Sequence, residues 1–232
     1  MTGLASLALA TLAFVGTHFL MSHPLRLRMV QNLGETGFTI VYSLVSFATL
    51  GWMILSYGEA GSIPLWMAPQ RVWTAASLVM LLASILLVGS FVRNPSFPPP
   101  GAEKQASRPA TGVFAITRHP MNWSFILWAL VHLSVWGSPR NIIVAGGILI
   151  LAFFGSIGQD RKKSSALGRS WQDWQARTSF VPFGALLRRK ARWRAAAPGW
   201  LAFGGGLLLW LAVTTFHAPS TSVLGWLGLA GK

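Results

Sequence analysis

Six stretches of this chain, 3–20, 38–57, 72–92, 120–136, 142–158 and 198–216, carry no charged side chain. Each has about the length that one helix needs to cross a bilayer core, roughly 17–25 residues. Hydrocarbon offers no partner to backbone N–H and C=O groups, so such a run is confined to a helix, whose hydrogen bonds close within the segment. The chain is therefore expected to be all-α: a polytopic six-helix transmembrane bundle forming one integral membrane domain over residues 1–232. The fourth and fifth runs are at the short end. A seventh apolar patch, 223–229, is too short to cross and is expected to lie at the interface or to re-enter. The first run has the length of a signal peptide, but its leading Met-Thr-Gly has no Lys or Arg and no small-x-small cleavage site precedes His18, so it reads as a retained span.

Composition agrees with that reading. Hydrophobic residues make up 53% of the chain and charged residues only 10%, where a soluble domain carries about 25% charge, which excludes a soluble globular enzyme. The net charge of +14, from 19 Lys+Arg against 5 Asp+Glu, would suit nucleic acid if the cations shared one polar surface. Here they sit in loops between apolar runs, so a bilayer with anionic lipid headgroups is the expected partner and nucleic acid is not. There is no cysteine, which removes disulfides, thiolate metal sites and cysteine nucleophiles; any ligation falls to His, Met or carboxylates.

Sixteen of the 19 cations lie in three loops: Arg26 and Arg28 after the first run, four after the third, ten after the fifth. Cytoplasmic loops are the ones that keep Lys and Arg, so these three are expected inside and both termini outside. The first long loop, 93–117, holds Pro95, Pro98, Pro99, Pro100 and Pro109, expected to form an irregular connection between two three-helix halves. In the second, the basic loop 159–197, Leu167, Trp171 and Trp174 recur at i, i+4 and i+7 while Lys162, Lys163, Arg169, Asp173 and Arg177 take other faces. That is the pattern of an interfacial amphipathic helix resting on anionic lipid; the alternative is that the tryptophans pack on the ends of the bundle. The cluster 188–194 reads as a topology anchor.

Ionisable groups inside apolar runs are costly and are candidates for function. His132 stands about 12 residues, some 18 Å, into the fourth run. It is either a neutral imidazole bonded to a neighbouring carbonyl or a metal or haem ligand. His18 lies near the cytoplasmic end of the first run, and His119 at the mouth of the fourth. On an ideal helix His119 and His132 are about 140° apart and cannot hold one ion together; His18 and His132 differ in depth by about 15 Å. Arg118-His119-Pro120 places a cation and a helix N-terminus at one spot, either a site for a carboxylate, phosphate or propionate or an interfacial stop with a snorkelling arginine. Glu35, Asp160 and Asp173 fall on the basic side and are expected to neutralise Arg or Lys locally, with Asp160 helping to fix the mouth of the bundle.

The block Thr117-Arg-His-Pro-Met-Asn-Trp-Ser with His132 downstream resembles the NnrU family of bacterial integral membrane proteins. So do His18-Phe-Leu-Met-Ser-His-Pro-Leu-Arg26, Leu33-Gly-Glu-Thr-Gly37, Asn94-Pro-Ser96, Asp160-Arg-Lys-Lys and Leu167-Gly-Arg-Ser-Trp-Gln-Asp-Trp-Gln-Ala-Arg177 through Phe183. The resemblance covers about residues 14–183. It implies a bacterial inner-membrane protein with periplasmic termini, associated with nitrite and nitric oxide reduction in denitrification. It also implies kinship with plastid 15-cis-zeta-carotene isomerase, which uses haem. By that kinship His18 and His132 are the axial ligand candidates and Arg118 and His119 would hold an anionic part of the cofactor. Ala129 stands where the isomerase's cysteine would fall, so a thiolate–imidazole ligand switch is closed to this chain.

Arg118-His119-Pro120 followed by Trp171, Trp174 and Arg177 also resembles membrane methyltransferases of the isoprenylcysteine carboxyl type, which bind S-adenosylmethionine; their acidic pair is represented here only by Gln159-Asp160. Three functions follow as expectations: a haem protein of redox or isomerase type, an S-adenosylmethionine-binding methyltransferase-like protein, or a non-catalytic accessory factor for a membrane reductase. Fold kinship alone does not choose among them.

Overall fold

The structure is a computed structural model that describes residues 3–96 and 101–217; the patch 223–229 and Pro98 to Pro100 lie outside the described residues. Helices dominate: α1 (Gly3–Ser22), α2 (Arg26–Glu59), α3 (Gln70–Gly89), α4 (Ala102–Ala106), α5 (Val113–Ile116), α6 (Pro120–Val135), α7 (Pro139–Leu167), α8 (Arg169–Arg177), α9 (Gly184–Leu187) and α10 (Trp200–His217), with a 3-10 turn at Trp193–Ala196. Two short strands, β1 (Trp66–Met67) and β2 (Trp136–Gly137), pair antiparallel. Five helices, α1, α2, α3, α7 and α10, are long and apolar enough to cross a membrane. The fourth apolar run folds as α6, but its 16 residues rise only about 24 Å, short of the roughly 30 Å hydrocarbon core. The structure thus gives five candidate spans where the sequence suggested six.

The chain forms two compact units interleaved in sequence. The first is drawn from residues up to 68 and from 132–155, the second from 69–131 and from 156 onward. The proline-rich connection is not their boundary, and it carries two short helices, α4 and α5.

In the first unit, α1 and α2 meet through Leu7, Ala10, Met53 and Ala60. The approach is close: a Cβ on Gly3 would stand 2.6 Å from the carbonyl oxygen of Glu59. Small residues permit this where helices cannot gain from excluding water. Ser6 and Ser56 link their hydroxyls at 2.8 Å across the same contact. Helix α2 breaks at Gly34, whose φ of 71° and ψ of 170° leave the helical region. The break separates residues 26–33 from the membrane-length remainder. Opposite the register pair Trp66 and Gly137, the indole lies across the glycine, where a Cβ would come within 2.1 Å of the ring. Trp66 Nε1 donates to the carbonyl of Leu133 at 3.0 Å.

In the second unit α3 and α10 pack through glycine: a Cβ on Gly206 would fall 2.6 Å from the Cα of Ile85. Trp210 Nε1 donates to the carbonyl of Ser77 at 2.8 Å. The core of this unit gathers Ile85, Leu86, Phe114, Ile116, Trp171 and Trp174. Helix α8 is therefore amphipathic as its spacing predicts, but its apolar face turns onto protein. Trp171 and Trp174 are enclosed, which is the packing alternative and leaves neither ring for lipid headgroups. Large apolar side chains face outward from the long helices instead, among them Leu12, Phe47 and Leu208. Polar side chains within those helices bond back one turn, as Thr11 does to the Leu7 carbonyl at 2.8 Å and Thr49 to that of Val45 at 2.8 Å.

Candidate functional site

Helix α6 opens at Pro120, the first-turn position where a missing N–H costs nothing. Just before it, Thr117 is fully buried and extended (φ −154°, ψ 150°). Its hydroxyl donates to the carbonyl of Phe180 at 2.7 Å and accepts the N–H of His119 at 3.3 Å. The N–H of Arg118 donates to the Ser179 carbonyl at 2.9 Å, that of Phe183 to Ile116 at 2.7 Å, and Trp123 Nε1 to Phe180 at 2.8 Å. The Thr117–His119 segment is thus strapped along residues 179–183, which fixes the direction of the two side chains that matter.

Both reach the end of α7. Arg118 Nε lies 3.0 and 2.9 Å from the two oxygens of Asp160, and its Nη2 also bonds Oδ2. Each side chain is only 13% exposed. The imidazole of His119 is fully enclosed; Nδ1 is 2.9 Å from Oε1 of Gln159, to which it donates, and Nε2 is 3.0 Å from Oδ1 of Asp160. The second approach has ion-pair distance but lacks hydrogen-bond alignment, so Nε2 has no hydrogen-bond partner among the described residues. The ring of Phe180 meets His119 edge-on at 5.3 Å and lies 5.6 Å below the guanidinium. Asn122 donates to the Ser156 hydroxyl at 2.9 Å, tying α6 to α7.

A cavity of about 30 Å³ opens among Asn94, Ser96, the turn 118–122 and Gln159. That is room for one or two waters; sites for drug-sized ligands run to about 300–1,000 Å³. The floor of the cavity is polar and prearranged: Asn94 caps the preceding turn by donating to the Ser90 carbonyl at 2.9 Å and accepting the N–H of Ser96 at 2.8 Å, while the buried Ser96 hydroxyl has no partner among the described residues. The cluster can neutralise charge and orient a small polar molecule. Asp160 neutralises Arg118 there through Nε and Nη2.

The other sequence candidates lie elsewhere. His18 is half-buried in the first unit, its Nδ1 2.7 Å from the carbonyl of Phe14 and its Nε2 3.4 Å from the hydroxyl of Ser46. Phe14 and Tyr42 flank the ring at 4.3 and 5.3 Å between centroids. His132 belongs to the same unit. Because α6 stops at Val135, it occupies the last turn of that helix rather than the middle of a long span. Its carbonyl accepts from Asn141 at 2.9 Å. Among the described residues no group of three or more His, Asp or Glu could hold a metal ion together.

Glu35 pairs with Arg26 at 2.9 Å across the Gly34 break. Arg177 lies over the Trp174 ring at 5.5 Å and donates to the carbonyl of Ala106. Trp171, Trp174 and Arg177 are thus parts of the core around α8. Sequence reasoning gave no role to Asn122, which it met only inside the Thr117–Ser124 block, or to Ser156, an uncharged member of an apolar run. Gln159 entered it only as the residue before Asp160.

The family model described as NnrU protein matches residues 6–224. The chain is 31% identical over 77 residues to 15-cis-zeta-carotene isomerase, chloroplastic, of Zea mays, covering 33% of this chain and 21% of that one. It is 32% identical over 76 residues to the Arabidopsis thaliana protein of the same name, again 33% and 21%. The chain thus matches about a fifth of the length of these curated relatives. No solved structure matches it significantly.

Proposed function

The chain belongs to the NnrU family, and on that premise we propose that it is a haem-binding membrane protein of isomerase type, acting on a double bond of a lipophilic polyene. The isomerase relatives support the reaction class. The observation that carries the cofactor is the posture of His18. A metal-ligating histidine donates one ring N–H to a carbonyl and presents the other nitrogen to the metal. His18 has that arrangement, with Nδ1 on the Phe14 carbonyl at 2.7 Å and only the distant Ser46 hydroxyl, at 3.4 Å, near Nε2.

The residues present fit one protein ligand: His18 would hold the iron through Nε2. Bound there, haem would supply a redox-active iron able to lower the barrier to rotation about a conjugated bond. The chain's own contribution is to bind, orient and keep dry: the Phe14 carbonyl fixes the tautomer of His18, and the rings of Phe14 and Tyr42 hold its plane. Arg118 is not assigned to a propionate, since Asp160 already meets its charge. In this proposal the protein crosses a bacterial inner membrane six times with α6 as the short crossing, both termini are periplasmic, and the association with nitrite and nitric oxide reduction is its physiological setting, beside a membrane reductase.

The test is the absorption spectrum of the protein purified from its own membrane, then after haem reconstitution. A Soret band that His18→Ala abolishes and Ser46→Ala keeps supports the reading. Absence of any band after reconstitution, or an unchanged band in His18→Ala, overturns it. Chromatography of 15-cis-zeta-carotene incubated with the loaded protein then tests the reaction.

A further inference from the structure

The strongest unused feature lies between α9 and α10. Five cations, Arg188, Arg189, Lys190, Arg192 and Arg194, occur within seven residues, and the chain contains no Asp or Glu after Asp173. All five are exposed. Interleaved with them are three large apolar side chains turned out of the protein: Leu187 at 71%, Trp193 at 60% and Trp200 at 80% exposure. Trp200 opens α10, itself apolar enough to cross a membrane.

The segment is built rather than loose. Gly112 donates its N–H to the Ala195 carbonyl at 2.7 Å, and the Trp193 ring stacks on Phe183 at 6.4 Å. Helix α9 is closed by Arg189 in the left-handed region (φ 57°), with the N–H of Lys190 returning to the Ala185 carbonyl at 2.8 Å. That position favours glycine, because a Cβ there is strained. An arginine held in it keeps a charge where the backbone would be more relaxed without one.

We propose that residues 187–200 form a docking surface for anionic phospholipid headgroups, the cations meeting phosphodiesters while Leu187, Trp193 and Trp200 enter the interfacial layer. Aromatic residues concentrate at that depth, and cations beside a membrane attract anionic lipid by about fivefold each. The exposed indoles and the continuity with α10 favour a lipid surface over nucleic acid, which would be met by charge without a reason for Leu187 and Trp200 to be bare. This places the lipid contact one segment beyond the amphipathic helix that the sequence pattern suggested, whose tryptophans are buried.

The test uses the full chain in detergent micelles, titrated with phosphatidylglycerol or phosphatidylcholine, with bound lipid counted by native mass spectrometry. The expected result is at least tenfold preference for phosphatidylglycerol, lost in the triple variant Arg188→Gln/Arg192→Gln/Arg194→Gln. Arg189→Gly should weaken phosphatidylglycerol binding by about fivefold while its melting temperature holds or rises. That second variant keeps the test valid if the triple variant fails to fold. No preference in the parent protein, an undiminished preference in both variants, or displacement of the lipid by millimolar inorganic phosphate or by an oligonucleotide at equal charge each overturns the proposal.

Discussion

Arg118 holds both oxygens of Asp160 across 42 residues of sequence, at 3.0 and 2.9 Å from Nε, with each side chain 13% exposed. One partner lies two residues before α6 and the other in the last third of α7. A charge pair this enclosed is modest evidence of net stability, but removing one member leaves the other buried and unmet, a loss of about 3–5 kcal/mol. Asp160→Ala and Arg118→Ala are each expected to lower the unfolding midpoint in detergent by that order. The double variant should lose much less than the sum, since no orphaned charge remains. Additive single effects would show that the two groups do not depend on each other.

That pair also shows what could be read in advance. The apolar runs announced every long helix because hydrocarbon admits little else, and Pro120 announced the start of α6 because its missing N–H is harmless only there. Arg118, His119 and Asp160 were each picked out, as scarce charges beside apolar runs. Their meeting was not legible: it depends on the strap between Thr117 and Phe180, two segments more than sixty residues apart whose bonds are backbone carbonyls that any sequence would supply. In α8 the 3.6-residue period gave the right face and left its partner open, since lipid and a protein core reward the same tryptophans. The fourth run, 120–136, and α6 differ only at Trp136, which is extended and paired with Met67; the run was already short for a crossing.

Gly34 tests a different kind of constraint. Its φ of 71° and ψ of 170° lie in a region that only glycine enters without strain, and nothing stands within 4 Å of where a Cβ would be. Gly34→Ala is thus expected to cost about 1–3 kcal/mol from backbone strain alone, or to straighten α2. The Arg26–Glu35 pair that spans the break is 25% and 60% exposed, so Glu35→Gln should cost no more than about 1 kcal/mol. Unfolding midpoints of the two variants side by side check this. A larger loss for Glu35→Gln than for Gly34→Ala would mean that charge, not backbone conformation, sets the bend.

The tryptophans divide by burial. Trp171 is 0% exposed and Trp193 60%. Trp171→Ala removes a large core side chain beside Ile85, Leu86 and Phe114 and is expected to cost about 3–5 kcal/mol, whereas Trp193→Ala should stay within about 0.5 kcal/mol in detergent. Thermal unfolding separates the two, and acrylamide quenching should be lost in part only with Trp193→Ala. Equal destabilisation would place α8 at a surface.

Two glycines two residues apart, and so on opposite faces of α10, give the sharpest test of how α3 and α10 hold together. A methyl at Gly206 would stand 2.6 Å from the Cα and 2.8 Å from the backbone nitrogen of Ile85, while one at Gly204 meets nothing within 4 Å. Backbone cannot give way as a flexible side chain can, so Gly206→Ala must push the helices apart and forfeit the contacts around Ile85 and Ala202, a loss of about 1–3 kcal/mol. Gly204→Ala carries no such clash and gains helix propensity, up to about 1 kcal/mol in the other direction. The two variants are therefore expected to move the unfolding midpoint in opposite senses, and Ile85→Ala should not recover the Gly206→Ala loss, because the closest atoms are the Ile85 backbone. If both glycine variants are neutral, the helices are held by something other than this close approach.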